Sequence, residues 1–200
     1  MRVHLARTLT EDIGSLRESG LRPRAFELPL SAVVDGVKLM GKLDRLDWDA
    51  AGARYRVVDY KSTFHKGRLK NLARDLVQVQ APLYLELAEQ SESALPESAR
   101  PVGADILAIE DSAATTGYDC IQSFTRSEWE ELREPVLDGV RRLRGMMAEG
   151  KFLVTPDEGQ GKVCEYCSFA SVCRKSHGRT RSRAEDSRLR AEFEEIRERR

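Results

Sequence analysis

An Asp-Gly pair at positions 35 and 36 separates two stretches in which apolar residues alternate with polar ones. Asp-Gly is favoured in the two-residue turns of β-hairpins, because both turn residues need a positive φ there. Such a turn places residue 34 opposite residue 37 and fixes the register of the hairpin. One face is then apolar or glycine throughout: Leu28 opposes Leu43, Leu30 opposes Gly41, Ala32 opposes Leu39 and Val34 opposes Val37. The sequence therefore predicts strands at about 25–34 and 37–48, with one face on the core.

The same register brings two acidic residues, Glu27 and Asp44, directly opposite each other. Like charges across a ladder destabilise it by about 0.2–1 kcal/mol, so a facing pair suggests a cation between the carboxylates. Neutralisation of both acids by Lys42 or Lys38 on a solvated face is the alternative.

A third apolar run, at 54–61, ends in Asp59-Tyr60-Lys61. Residues two apart in a strand share a face, so the Asp59 carboxylate and the Lys61 ammonium should lie side by side. A carboxylate can hold Mg²⁺, and an ammonium beside it can orient or deprotonate a water molecule. With Asp44 on the preceding strand, this pattern is typical of a metal-dependent phosphodiesterase, and it favours the cation over the solvated face.

Composition bounds the class of protein. The 200 residues include 40% apolar and 33% charged side chains, enough for one sizeable core and an appendage. We expect a cytoplasmic protein with no membrane partner, because the chain lacks both a membrane-spanning apolar run and a secretory signal stretch. The 33 basic and 33 acidic residues cancel. Residues 56–75, however, carry six basic and two acidic side chains, which should attract phosphate unless they are ordinary solvated residues.

Two helices follow from periodicity. A first helix before Gly20 is predicted with an apolar face made by four residues: Leu5, Leu9, Ile13 and Leu16. A second helix is predicted at 76–89. Within it, Gln80 and Tyr84 lie four apart and so share a face. Pro82 lies between them, either for a functional reason or because it sits near the start of the helix.

In the second half of the sequence, turn-forming and helix-capping residues indicate where the elements begin and end. We expect a surface linker at 91–102 and strands at 104–109 and 118–124. Thr125 and Glu128 form a capping-box pattern that opens a long helix ending before Gly150, with a kink or a break at Pro135. The highly charged last twenty residues form either a solvated helix or a disordered tail.

Three cysteines stand close together as Cys164-x2-Cys167-x5-Cys173, a spacing that strongly indicates a metal site. His177 follows shortly afterwards and would complete a Cys₃His zinc site. Iron–sulfur clusters normally take four cysteines, and Cys120 lies on a predicted strand, where a free cysteine usually packs as a small apolar residue. The residues alone therefore slightly favour zinc.

Three motifs in this order resemble the RecB-type branch of the PD-(D/E)XK nuclease superfamily: Gly-Lys-Leu-Asp-Arg at 41–45, Val-Val-Asp-Tyr-Lys-Ser at 57–62 and Gln-Ala-Pro-Leu-Tyr at 80–84. The cysteine segment is similar to the iron–sulfur segment of AddB-type helicase–nuclease subunits and of related CRISPR adaptation exonucleases. The resemblance covers roughly residues 20–175. It implies an α/β, restriction-endonuclease-like core, with a mixed central sheet flanked by helices, and a C-terminal cysteine-rich module.

The resemblance also implies roles at the acidic site: Asp44 and Asp59 bind Mg²⁺ or Mn²⁺, Lys61 positions or activates the attacking water, Glu27 supports the metal shell, and Gln80 and Tyr84 bind the DNA strand or order the catalytic residues. The physical chemistry agrees. A cation held by carboxylates neutralises the scissile phosphate and lowers the pKa of a bound water, and a neighbouring ammonium stabilises the developing charge.

On this resemblance the chain divides into a nuclease core at 1–150, a cysteine module at 151–178 and a charged tail at 179–200. The module would hold a [4Fe–4S] cluster through Cys164, Cys167 and Cys173, with the fourth ligand from a neighbouring polypeptide or from Cys120. In the relatives, the fourth cysteine and an additional histidine lie upstream, and His4 is an uncertain stand-in for that histidine. No Gly-x4-Gly-Lys-Ser/Thr phosphate loop is present, so no ATP-driven motor is expected in these residues.

We therefore expect a Mg²⁺-dependent deoxyribonuclease, acting as an exonuclease. It would belong to an AddB-like helicase–nuclease that repairs double-strand breaks, with a helicase subunit or an upstream helicase domain as its partner. The alternative is a catalytically weak DNA-end-binding module with a structural zinc or iron–sulfur site. A third interpretation, a zinc-dependent regulatory interaction protein, would be distinguished by metal content.

Overall fold

The computed structural model describes residues 2–62, 69–76, 78–91, 95, 98–109, 121–152, 168, 172 and 177–198. The chain forms two compact units, Met1–Val136 and Leu137–Arg200. The described helices are α1 (Arg2–Ser19), α2 (Leu69–Arg74), α3 (Gln80–Gln90), α4 (Arg126–Ala148), α5 (Gly178–Glu185) and α6 (Arg188–Glu198). The strands are β1 (Arg22–Val34), β2 (Val37–Trp48), β3 (Arg54–Lys61), β4 (Arg100–Ala108) and β5 (Ile121–Thr125).

The five strands form one sheet whose order in space is their order in the chain. The first three strands meander, with β2 antiparallel to both β1 and β3. Strand β4 then lies parallel to β3, and β5 returns antiparallel to β4. This mixed sheet flanked by helices confirms the expected restriction-endonuclease-like fold.

The predicted hairpin is confirmed in both its turn and its register. Asp35 and Gly36 have φ values of 49° and 75°, the positive values that a two-residue turn of this type requires. The four apolar pairs form as expected: Leu28 with Leu43, Leu30 with Gly41, Ala32 with Leu39 and Val34 with Val37. The local turn chemistry therefore sets the alignment of the first two strands.

The predicted apolar face of α1 is wrong. Leu5, Leu9 and Ile13 are 43%, 50% and 47% exposed, whereas Thr8 and Asp12 are buried. Thr8 Oγ1 donates to the Ala108 carbonyl at 2.8 Å, and Asp12 accepts hydrogen bonds from a buried arginine of β2. The helix turns its polar side to the sheet because that part of the sheet carries buried charges that need partners.

The second predicted helix begins later than expected. Leu76 has a φ of 55° and lies in a turn after α2, so the helix starts at Gln80 and not at residue 76. The predicted linker also ends sooner, since β4 already begins at Arg100. Strand β5 covers 121–125, and the earlier part of the strand expected at 118–124 lies outside the described residues.

The capping box that opens α4 is present. Thr125 N–H donates to Glu128 Oε2 at 2.8 Å, and Glu128 N–H donates to Thr125 Oγ1 at 3.2 Å. The helix runs through Pro135 to Ala148, so the break considered at Pro135 does not occur. Gly150 follows with a φ of 71°, as expected of a residue just beyond a helix end.

Residues 178–198 are mainly helical, as α5 and α6, so the helical alternative for the charged tail is the one observed there. In the second unit, Lys151 Nζ lies 3.0 Å from Glu192 Oε2. None of the described helices has the length and apolar character needed to cross a bilayer.

A buried carboxylate joins α3 to α4. Glu86 is fully buried and accepts hydrogen bonds from Arg133 Nε at 2.8 Å, Arg133 Nη2 at 2.5 Å and Trp129 Nε1 at 3.2 Å. Burial alone would raise the pKa of Glu86, but the hydrogen bonds and the charge of Arg133 lower it below its ordinary value. The Trp129 ring is itself fully buried, 6.4 Å from that of Phe124. The carboxylate thus anchors the helix pair from within the core.

Replacing this carboxylate with an amide should destabilise the fold. In Glu86→Gln, one oxygen acceptor becomes an NH₂ group that faces the donors of Arg133. We expect the free energy of unfolding, measured by urea denaturation at pH 7, to fall by about 1–3 kcal/mol. Because the pKa of Glu86 is lowered in the folded state, its contribution is present at neutral pH and lost as the pH falls through the folded value. The difference from wild type should therefore shrink in acid.

Glu130→Gln is the matched control on α4. Glu130 also accepts from an arginine, Arg126 Nε at 3.0 Å, but its side chain is 61% exposed. An exposed helix pair of this kind contributes no more than about 0.5 kcal/mol. Equal losses of stability in the two variants would show that burial of Glu86 has no energetic consequence.

Candidate active site

Asp59 and Lys61 lie on the same face of β3, as their spacing predicts. The Lys61 ammonium is 2.7 Å from Asp59 Oδ2. The Asp59 side chain is 1% exposed and that of Lys61 33% exposed, so the carboxylate is buried beneath an ammonium that still reaches solvent.

The Asp59 carboxylate is short of hydrogen-bond donors. Lys61 Nζ is close enough but poorly aligned, and neither Asp59 oxygen accepts a well-formed hydrogen bond from the residues that the structure describes. Burial raises the pKa of Asp59; the Lys61 ammonium opposes this shift, and the charge of Asp44 adds to it. A buried carboxylate with a single ammonium partner and no aligned hydrogen bond has coordination to spare, which a bound cation would use.

Asp44 stands across from Asp59, where the ladder between β2 and β3 stops. Its last pair is Arg45 with Val58. Beyond it, the Asp44 side chain takes the place of a backbone acceptor, because Asp44 Oδ2 accepts the Tyr60 N–H at 2.8 Å. Continuing the register by one residue places Asp44 and Asp59 on the same face of the sheet. The two strands therefore present two carboxylates side by side at the point where they part.

Glu27 departs from the regular ladder and is engaged by a lysine. Residues on either side keep the predicted register, but Glu27 is absent from the ladder and has a φ of 51°. Its carboxylate forms an ion pair with Lys42, with both side chains largely exposed. Hydrogen bonding and the charge of Glu27 raise the pKa of Lys42. This ion pair matches the solvated alternative with Lys42, and the convergence of Glu27 and Asp44 on one ion position stays a prediction.

Gln80 and Tyr84 connect to the site through Lys61. Lys61 Nζ donates to Gln80 Oε1 at 2.8 Å, and Gln80 Nε2 donates to the Tyr84 hydroxyl at 2.9 Å. Tyr84 packs against Gly41, where an added Cβ would lie only 2.6 Å from Tyr84 Cε1. Of the two roles considered for this pair, ordering of a site residue is the one that matches these contacts. Pro82 falls in the first turn of α3, where a missing N–H has no helical partner to lose.

On the other face of the sheet lies a buried ionic cluster that the sequence interpretation did not anticipate. We call Asp12, Arg45, Asp47, Arg56 and Asp105 the buried ionic cluster; each is no more than 6% exposed. Burial raises the pKa of Asp105 against the opposing charge of Arg56. The charged residues within the predicted strands could have indicated this cluster, because strands that pack on the core bury the side chains of one face.

The contacts of the buried ionic cluster run from α1 to β4. Arg45 Nη1 and Nη2 donate to the two oxygens of Asp12 at 2.7 Å each, and Nη2 also donates to Asp47 Oδ2 at 3.0 Å. Arg56 donates to Asp47 at 2.9 Å and to Asp105 at 2.7 Å. Arg56 was counted among the residues that attract phosphate, and its burial in this cluster corrects that expectation.

The donor set suits a hard divalent cation. Asp44 and Asp59 offer carboxylate oxygens, the ligand type preferred by Mg²⁺ and Mn²⁺. Among the described residues, no three His, Cys, Asp or Glu side chains group as a metal site. Mg²⁺ commonly uses one or two protein carboxylates and fills its remaining positions with water and substrate phosphate. Two carboxylates, one of them buried without donors, therefore fit the ion.

The structure does not describe the cysteines of the predicted metal site. Cys164, Cys167, Cys173 and Cys120 all lie outside the described residues, as does the His4 side chain. His177 is described and precedes the first residue of α5. The iron–sulfur and zinc expectations for this segment remain predictions from the sequence.

Comparison with known proteins agrees with this geometry. A model of the PD-(D/E)XK nuclease superfamily matches residues 2–174, which is most of the chain and includes Asp44, Asp59 and Lys61. No curated protein matches the chain at a significant level. The extent of the family match, together with the fold and the paired Asp59 and Lys61, shows that the chain belongs to the PD-(D/E)XK nuclease superfamily.

Proposed function

We propose that this protein is a metal-dependent deoxyribonuclease in which Asp44 and Asp59 hold Mg²⁺ or Mn²⁺ and Lys61 acts on the attacking water. The observation that carries the proposal is the buried Asp59 carboxylate, which has no well-aligned donor among the described residues and lies 2.7 Å from the Lys61 ammonium. A buried carboxylate with a raised pKa beside an ammonium, in a family of nucleases, indicates a reaction centre.

Each side chain of the site has a separate role in this proposal. When bound, the divalent ion would neutralise charge on the scissile phosphate and lower the pKa of a coordinated water. Lys61 has three N–H donors; Gln80 accepts from one of them, and the Asp59 carboxylate lies against the ammonium as an ion pair. With a third of its side chain exposed, Lys61 can donate to a water molecule or to a phosphate oxygen. Gln80 holds the ammonium in place through its own bond to Tyr84.

The proposals for nuclease subtype, substrate, partner and process rest on the sequence motifs and not on the fold. The order of the three motifs and the cysteine spacing support an exonuclease of the RecB/AddB type, with DNA as substrate, a helicase subunit as partner and double-strand-break repair as the process. The excess of basic residues at 56–75 is weaker support for DNA binding than the sequence suggests, because some of these side chains already have acidic partners. Arg56 is buried, and Lys70 pairs with Glu131 at 2.5 Å.

One observation favours a second candidate, a catalytically weak DNA-end-binding module. Glu27, expected to support the metal shell, is engaged by Lys42. The site would then hold its ion through two protein carboxylates and release it readily. Cleavage rates at saturating Mg²⁺ distinguish this candidate from the nuclease.

Removing the ammonium should abolish most of the activity. We expect purified protein to degrade linear DNA in Mg²⁺ or Mn²⁺, and Lys61→Ala to lower the rate by about 10²–10⁴-fold, as for loss of a general acid–base group. Asp59→Ala should be at least as damaging, because it removes a metal ligand. Product formation on a gel measures the rate, and the unfolding midpoint checks the fold.

Lys70→Ala provides the matched control. Lys70 is also a lysine with a 33% exposed side chain and a carboxylate partner, yet it lies on α2 with Glu131 as that partner. Its loss should leave cleavage close to wild type. Undiminished cleavage by Asp59→Ala in metal-depleted buffer restored with Mg²⁺ would disprove the assignment.

For the cysteine module we propose a [4Fe–4S] cluster held by Cys164, Cys167 and Cys173. Anaerobically purified protein should be brown and contain iron and sulfide, and Cys167→Ser should lose the colour. Metal loading should also protect residues 150–175 from proteolysis, because binding energy is folding energy when a site does not preform.

Zinc is the alternative occupant of the module. A colourless protein with stoichiometric zinc, whose affinity for zinc falls in His177→Ala, would establish a Cys₃His site instead. Protein free of both metals and equally protected from proteolysis would refute both versions.

A further inference from the structure

Strands β2 and β3 part at the place where the candidate site lies. Their ladder ends at Arg45 and Val58, so no backbone pair holds Asp44 to Asp59. Strand β3 is secured on its other edge, since Tyr60 pairs with Leu107 of β4. Strand β2 is likewise paired on its other edge, to β1 at Leu43 and Arg45, but Glu27, which lies between their partners, is absent from that ladder.

Tyr60 bridges the parted strands with both its backbone and its side chain. Its N–H donates to Asp44 Oδ2 at 2.8 Å. Its hydroxyl, on the opposite face of the sheet, accepts a hydrogen bond from Arg45 Nη1 at 2.7 Å. The Arg45 guanidinium carbon also lies 5.7 Å from the centre of the Tyr60 ring. Two consecutive residues of β2 are thus tied to a single residue of β3.

Arg45 is itself immobilised. Its side chain is 4% exposed, and its two terminal nitrogens bind both oxygens of Asp12 on α1 at 2.7 Å. A bidentate pair of this kind fixes the plane of the guanidinium as well as its position. The Tyr60 hydroxyl is therefore bound to a guanidinium that Asp12 holds in place, so separation of the strands would break this hydrogen bond.

We propose that Asp12, Arg45 and the Tyr60 hydroxyl form a clamp that sets the spacing of Asp44 and Asp59 for a divalent cation. The proposal rests on the metal site proposed above. Two neighbouring carboxylates repel each other until a cation is bound, and here no ladder hydrogen bond opposes that repulsion. The three residues are positioning residues, since they act through the strand ends and not on the substrate.

Tyr60→Phe tests the clamp by removing only the hydroxyl, leaving the ring and the backbone N–H that binds Asp44. The hydroxyl acts on Asp44 only through Arg45, so the effect is bounded by the loss of one hydrogen bond to a charged group, about 10–100-fold in a dissociation constant. We expect the dissociation constant for Mn²⁺, measured without DNA by electron paramagnetic resonance of the free ion, to rise by that factor. Hydrogen exchange of the amide of residue 60 should quicken at the same time.

Tyr55→Phe is the control, because it makes the same change on the same strand. The Tyr55 hydroxyl is buried and has no hydrogen-bond partner in the part of the chain that the structure describes. Its removal should leave the Mn²⁺ dissociation constant unchanged. If Tyr60→Phe fails to fold, Asp12→Asn replaces it: this variant breaks the bidentate pair with Arg45 while keeping the Asp47 contact, Tyr60 and both carboxylates, and it should weaken Mn²⁺ binding too.

The outcomes separate the clamp from the nuclease assignment. An unchanged Mn²⁺ dissociation constant in Tyr60→Phe overturns the clamp, as does an equal change in Tyr55→Phe, which would reflect general loosening of β3. Wild type that binds Mn²⁺ through Asp59, as shown by loss of binding in Asp59→Asn, but does not cleave DNA would refute the nuclease and leave the clamp standing. Wild type that binds no Mn²⁺ would overturn both.

Discussion

The termination of the β2–β3 ladder at Arg45 and Val58 is the constraint on which the candidate site depends. While two strands remain paired, their backbone N–H and C=O groups satisfy each other. Once they part, the Asp44 carboxylate takes over as acceptor for the Tyr60 amide, and Asp59 is left buried without aligned donors among the described residues. The end of the ladder thus coincides with the two carboxylates of the candidate site.

Charges buried on one face of the sheet decide how α1 packs. Arg45 and Arg56 project from β2 and β3 into the interior, where an unpaired cation would be very costly. Asp12 of α1 satisfies Arg45 with two hydrogen bonds, so the helix presents its polar side to the sheet and leaves Leu5 and Leu9 partly exposed. Buried ion pairs contribute little net stability, but removal of one partner is expensive, which makes such a cluster a means of fixing geometry.

Sequence reasoning succeeded where one local interaction dominates. The Asp35-Gly36 turn predicted the register of the hairpin, and Thr125 with Glu128 predicted the start of α4, because each depends on residues close in the chain. It did not foresee the backbone conformation of Glu27, and it failed for the helix expected to start at residue 76. At Glu27 the backbone adopts a positive φ that no propensity of glutamate favours, and at Leu76 a similar conformation ends a turn after α2.

The sequence by itself determined that Asp59 and Lys61 share a face, since strand geometry repeats every second residue. It also determined the family through the order of its motifs. Only the tertiary structure decided that Asp59 lacks aligned donors among the described residues, that Gln80 orders Lys61, and that α1 faces the sheet with Asp12. These features depend on which distant residues meet across the sheet, and periodicity along a chain carries no information about the chemistry of the opposing surface.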